Sequence, residues 1–180
     1  PQLIIEQSGL KLGGNLLLMD KFSSIKSIKQ NLIFIKDVEI RRSFPNKIII
    51  KVTEDMVAAA FDAGGAYWLC DDMGRLLEIS TAVPANAAII KGAQLTGSTP
   101  GQPFQTSDKF KQQPLMELFA ALRDNELFGL VSWIDISKIY DIKIGYLDRY
   151  EVKLGNSGDF DNSCKRLCML IVQLEQEGHM

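Results

Sequence analysis

The sequence predicts an α+β fold built as two modules in series, with a boundary after residue 54. Three observations carry that expectation. A helical apolar stripe at 20–32 leads straight into two β-rich runs that end near residue 53. A longer series of short apolar runs then extends from 56 to 154. Two further helical stripes accompany that series, one inside it and one after it. The second module is therefore a mixed β domain with two flanking helices.

The first module reads as follows. Residues 3–8 form a helical turn that stops at Gly9, and Gly13-Gly14-Asn15 punctuates the chain before Leu16 to Met19. Asp20 fits an N-cap, because its carboxylate can accept the orphan amides of the turn that follows. Phe22, Ile25, Ile28 and Leu32 then recur at helical spacing, with Lys21, Lys26 and Lys29 on other faces. The runs 33–43 and 47–53 flank Phe44-Pro45-Asn46, whose proline and asparagine suit a hairpin turn. Ile48, Ile50 and Val52 alternate with Lys47, Ile49, Lys51 and Thr53, the period of a strand with one buried face. Helix 20–32 is expected to pack on that sheet.

The second module opens with apolar runs at Val57–Phe61 and Tyr67–Cys70, a turn at Asp72-Met73-Gly74, and returning runs at Leu76–Ile79 and Ala88–Ile90. Residues 92–106 are rich in Gly, Thr, Ser, Pro and Gln and read as an exposed, mobile loop. A helix is expected from near Asp108 to about Glu126, with Phe110, Leu115, Leu118, Phe119 and Leu122 as its apolar side. Pro114 suits only a first turn and argues for a later start. Strands follow at 130–136, 140–147 and 149–154. The last helix, 160–176, carries the stripe Phe160, Cys164, Leu167, Cys168, Ile171 and Leu174, with Asp159 as N-cap and Gly178 beyond its end.

Composition narrows the function classes. Apolar residues make up 46% and charged residues 23%, which permits a packed core and argues against disorder. The net charge of -2 gives no support, as a total, to a nucleic-acid or anionic-membrane role. The charge is uneven: residues 1–55 hold nine Lys/Arg against six Asp/Glu, and the remainder hold eleven against sixteen. No apolar run reaches the ~18–20 residues that span a bilayer. The three cysteines, Cys70, Cys164 and Cys168, form no disulfide framework, and Cys164 and Cys168 read as reduced, buried hydrophobes. With His179 the only histidine, no His/Cys metal set can be assembled. Gly13-Gly14 and Gly64-Gly65 match neither phosphate-loop spacing, and Asp71-Asp72 reads as a turn rather than a metal pair. No cofactor is predicted, and no catalytic constellation stands out. Candidate contact residues are Arg41, Arg42 and Pro45 at the first hairpin, and Tyr146, Arg149 and Tyr150 in a later strand pair. Arginine and aromatic side chains are enriched at protein–protein hot spots.

Several of these segments resemble one family. Gly13 to Asp20 is similar to the entry into the second helix of a POTRA domain, and Val38 to Glu54, containing Arg41-Arg42-Ser43-Phe44-Pro45-Asn46, resembles the hairpin that closes that domain in FtsQ/DivIB proteins. Tyr67 to Leu77 resembles the hairpin that opens the family's β domain, and Trp133-Ile134-Asp135-Ile136-Ser137 and Asp148 to Gly155 resemble two of its later strands. The resemblance implies a POTRA domain at 1–54 that lacks its first strand, and an FtsQ/DivIB-type β domain at 55–180 that lacks its final strands. It also implies a non-enzymatic scaffold of bacterial septation on the extracytoplasmic side of the cell membrane. A single N-terminal membrane helix, absent here, would anchor the parent protein, and its partners would be divisome proteins of the FtsL and FtsB/DivIC type. Two other readings stay open: a POTRA protein of outer-membrane assembly or secretion, and a small hydrolase with a carboxylate site.

Overall fold

The computed structural model describes residues 2–11, 13–14, 19–156 and 158–176, which divide into two compact units, 1–56 and 57–180. In the first unit α1 (Gln2–Ser8) and α2 (Lys21–Asn31) accompany the antiparallel hairpin β1 (Ile35–Ser43) and β2 (Lys47–Glu54). Gly9 adopts φ +67, a left-handed conformation that glycine takes at little steric cost, and α1 stops there. Asp20 caps α2 by accepting the amides of Phe22 at 3.0 Å and Ser23 at 3.2 Å. Ile40 lies opposite Ile50 and Val38 opposite Val52, so one hairpin face is apolar. That face meets Ile28 of α2 in a core of Ile28, Ile35, Val38 and Ile40, with Ile25, Leu32, Ile48, Ile50 and Val52 packed around it.

The second unit is a mixed seven-stranded sheet. Its strands are β3 (Ala59–Asp62), β4 (Tyr67–Cys70), β5 (Leu76–Ser80), β6 (Ala88–Lys91), β7 (Val131–Asp135), β8 (Ile142–Tyr146) and β9 (Tyr150–Gly155). The order is β5-β4-β3-β6-β7-β8-β9, with β6 parallel to β3 and β7 and all other pairs antiparallel. The helix α3 (Lys109–Asp124) makes the crossover from β6 to β7, and α4 (Phe160–Gln176) follows β9. Leu115, Leu118, Phe119 and Leu122 of α3 and Phe160 and Cys164 of α4 share one core with Phe61, Ile90, Ile134 and Ile144 of the sheet. The α+β class and the two helices accompanying the β domain are as the residue patterns predict.

Four expectations fail for identifiable reasons. Phe22 and Phe110 are 73% and 80% exposed rather than core. Each is the second residue of its helix, and helical side chains lean toward the N-terminus, so each ring overhangs the helix start instead of covering the sheet. The helix α3 begins at Lys109 despite Pro114, which is buried within it. Pro114 forfeits only the one bond its amide would have donated. The segment 92–106 is largely exposed, as expected, but it is pinned rather than mobile: Phe104 is fully buried, and Gln102 and Gly101 bond the backbone of Leu76 at 2.9 and 2.7 Å. Further bonds join Thr96 to Gln105 and Ser107 to Gln94, each at 2.8 Å. The stretch is a strap sewn to the sheet edge and anchored by an aromatic ring. The Gly178 expectation lies outside the described residues.

Two substitutions test this packing. Ile28→Asp should cost on the order of 3 kcal/mol or more by burying an unpaired charge, and accelerated amide exchange across β1 and β2 would show it. Gly145 lies directly under the Trp133 indole, so a Cβ there would collide with the ring. Gly145→Ala should cost about 1–3 kcal/mol in a urea titration and shift the tryptophan emission.

Candidate protein-binding surfaces

Three features stand out, each within a single unit. The first is the hairpin end of the N-terminal unit. Arg41 points away from the apolar face and pairs with Glu39, Nη2 to Oε1 at 2.7 Å. Arg42, one residue on, lies over the opposite face and donates from Nη2 to the carbonyl of Met19 at 2.7 Å. Pro45 is exposed in the turn beside Phe44, which is 70% exposed.

The second is the β8–β9 hairpin. Its two central residues, Leu147 and Asp148, have φ +52 and +56, and the Arg149 amide closes the turn on the Tyr146 carbonyl at 3.1 Å. Left-handed central residues match the twist of paired strands, but side chains other than Gly, Asn and Asp adopt that conformation at a cost of roughly 1–2 kcal/mol. Leu147 therefore holds a strained position, with its amide bonded to the Leu130 carbonyl at 2.8 Å. The Arg149 guanidinium lies 5.5 Å from the Tyr150 ring centroid, a cation–π distance. Tyr146 departs from the expected trio: it is 4% exposed and belongs to the core. The strand alternation places it on the helix-covered face together with its strand partner Tyr150, which packs half-buried against the core and leaves Arg149 as the exposed member. Farther along the same strands, Lys143 pairs with Glu151 at 2.9 Å, and that hydrogen bond raises the lysine pKa.

The third is a groove of roughly 820 Å³ beyond the carboxyl ends of β3 and β6, lined by Tyr67, Trp68, Lys91, Lys111, Asp62 and Asp108. Its charges are occupied by the fold. Asp62 accepts the Gly64 amide at 2.8 Å, and Asp108 caps α3 through the Phe110 amide at 3.0 Å. Lys111 donates to the Gly92 carbonyl at 2.6 Å, and Lys91 stacks 4.4 Å from the Trp133 ring. No sequence pattern foretold this groove, because it is assembled from segments distant along the chain. Asp71 makes a turn, as expected: its buried carboxylate accepts the amides of Met73 and Arg75 at 2.9 and 2.8 Å and pairs with Arg75 Nε at 3.0 Å.

Cysteine placement divides the expected buried pair. Burial pushes the Cys70 thiol far up, and it pushes Cys164 up to about 11. Cys168 is only partly buried, packed against the rim of the core. A thiol reagent should modify Cys168 first under native conditions. Cys164 should stay slow even when the pH is raised from about 7 to 9, because its thiolate form remains scarce there. Equal native rates for the two thiols would contradict this placement.

Residues 1–55 match the FtsQ-type POTRA domain. The chain is 26% identical over 184 residues to cell division protein DivIB of Clostridium acetobutylicum, covering 98% of this chain and 71% of the relative. It is 24% identical to DivIB of Clostridium botulinum, covering 89% and 62%, and 25% identical to cell division protein FtsQ of Anaeromyxobacter sp., covering 99% and 60%. It thus spans from three fifths to seven tenths of these relatives' lengths. Among solved structures, the major extracytoplasmic domain of the trans isomer of DivIB from Geobacillus stearothermophilus aligns at 17% identity with a TM-score of 0.42, covering 69% of this chain and 97% of that one. The chain is therefore an α+β protein that opens with a POTRA domain of the FtsQ type. Over nearly its whole length it is similar to FtsQ and DivIB cell-division proteins.

Proposed function

We propose that this chain is a non-enzymatic scaffold of bacterial cell division, acting on the extracytoplasmic side of the cell membrane and binding partners of the FtsL and FtsB/DivIC type. One observation carries the reading: an FtsQ-type POTRA domain and a separate sheet domain occur in series, and cell-division relatives align across both. The sheet geometry supports a binding role. The strand β9 is the last in the sheet order, so among the described residues its outer edge pairs with no strand. Such an edge offers main-chain donors and acceptors to an added strand, while alternate side chains select the partner.

Tyr150 opens β9 and Arg149 precedes it in the turn, so the two are the proposed anchors for the partner's end of the added strand. Arg41, Arg42 and Pro45 form a second proposed contact surface on the POTRA unit. The direct test is a titration of the chain with the extracytoplasmic segments of the FtsL- and DivIC-type proteins from the same genome. Binding is expected, and Arg149→Ala with Tyr150→Ala should weaken it about tenfold or more, as truncation of hot-spot residues does. Unchanged affinity in that variant would remove the two anchors. Failure of the unaltered chain to bind either segment would count against the partner assignment itself.

A further inference from the structure

We infer that the hairpin end of the POTRA unit, which carries Arg42 and Pro45, takes an anionic phospholipid surface as its contact. Phe22 and Phe44 are 73% and 70% exposed, Phe22 as the second residue of α2 and Phe44 in the turn between β1 and β2. They lie at one end of it. Arg42 Nη2 bonds the carbonyl of Met19, three residues before Phe22, and Phe44 follows Arg42 by two positions. Lys11 lines the same end, in a cleft shared with Met19, Asp20 and Ile48, and Ile48 is the strand partner of Arg42. Lys21 lies 5.1 Å from the Phe22 ring, and Lys47 leaves the turn opposite Ser43.

The charge balance at this end is one-sided. Among the described residues Lys11, Lys21, Arg42 and Lys47 have no carboxylate partner. The nearby carboxylates are both engaged: Asp20 holds the amides of Phe22 and Ser23, and Glu39 holds Arg41. Those bonds, the Ser23 hydroxyl first, hold the Asp20 carboxyl below its usual range, so it stays ionised and removes one charge from the four cations.

Two protruding rings ringed by point-like cations suit a bilayer interface better than a protein groove. Phenylalanine enters the headgroup boundary while lysine and arginine stay with the phosphates, and each cation near an anionic surface strengthens attachment roughly fivefold. Three of the four cations are lysines, whose compact charge fits a diffuse field of headgroups rather than the planar, bidentate geometry of a carboxylate pair.

The test is co-sedimentation of the purified chain with phosphatidylcholine vesicles and with vesicles of roughly three parts phosphatidylcholine to one part phosphatidylglycerol. The chain should partition at least about tenfold more strongly onto the anionic vesicles, and added salt should reverse this. Phe22→Ser with Phe44→Ser, and separately Lys21→Gln with Lys47→Gln, should each lower partition about tenfold or more. All four side chains are exposed, so thermal melts by circular dichroism should show folded variants. Equal partition onto both vesicle types, no partition, or wild-type partition by the variants would overturn the inference. Competition by an acidic polyglutamate peptide that is as strong for the phenylalanine variant as for the unaltered chain would assign the patch to an acidic protein instead, and would also overturn it.

Discussion

The parallel seat of β6 between β3 and β7 is the constraint on which the C-terminal unit depends. Antiparallel neighbours in this sheet come from short turns, but a parallel neighbour demands a crossover. The chain supplies two: residues 81–87 carry it from β5 at the sheet edge back to β6, and the strap with α3 carries it from β6 to β7. Ala59, Ala60 and Ala88, all fully buried, keep the middle of the sheet thin where β3 meets β6. An aromatic series fills the space this leaves. Phe61 meets Phe104 at 5.0 Å, Phe104 meets Phe119 at 5.4 Å, and Phe119 meets Phe128 at 5.3 Å, joining strand, strap, helix and the loop into β7. Gly74 is the price of Phe104's position, since its φ is +78 and the ring occupies the space a Cβ would need.

Much of this was legible in the residues, and the failures are informative. Periodicity located α2, α3 and α4 because each buries one face, and a face writes its period into the chain, whereas α1 showed only as a helical turn ending at Gly9. The Asp20 cap was equally readable, but Asp159, expected to cap α4, holds the side chains of Asn162 and Arg166 with its carboxylate. Periodicity could not say where a helix stops overlapping its sheet, so Phe22 and Phe110 were assigned to stripes they overhang. Nor could composition reveal that the polar stretch 92–106 is pinned by one phenylalanine. Tyr146 was misjudged for a related reason. A tyrosine three residues from an exposed arginine reads as surface until the strand pairing decides which face it occupies.

The proposed contact surfaces were legible to different degrees. Arg41, Arg42 and Pro45 stand out in the chain because they surround a turn between two clear strands. The lipid-facing arrangement does not, because it joins residues from α2, the cleft beside α1 and the hairpin turn, and only the Arg42–Met19 bond shows that they share one end. The pairing of Arg149 with Tyr150 is adjacent in sequence, yet its setting depends on Leu147 and Asp148 holding left-handed backbone.

The two crossovers also set an order of assembly. The POTRA hairpin joins strands separated by a three-residue turn, so its pairing can begin once residue 54 has been made. In the second unit, β3 finds β4 at once, but it must await β6, and β6 stays open on its far side until β7 is synthesised beyond α3. Pairings between segments so distant are slow to close, since the loop entropy is lost before the contacts form. While the chain is incomplete, the apolar edge of β6, Ala88-Ile89-Ile90, is bare and open to pairing with another chain. The strap that follows it contains Pro100 and Pro103 and several glycines, a composition poorly suited to forming a competing strand. The segment made immediately after β6 therefore does not itself compete with β7 for that open edge.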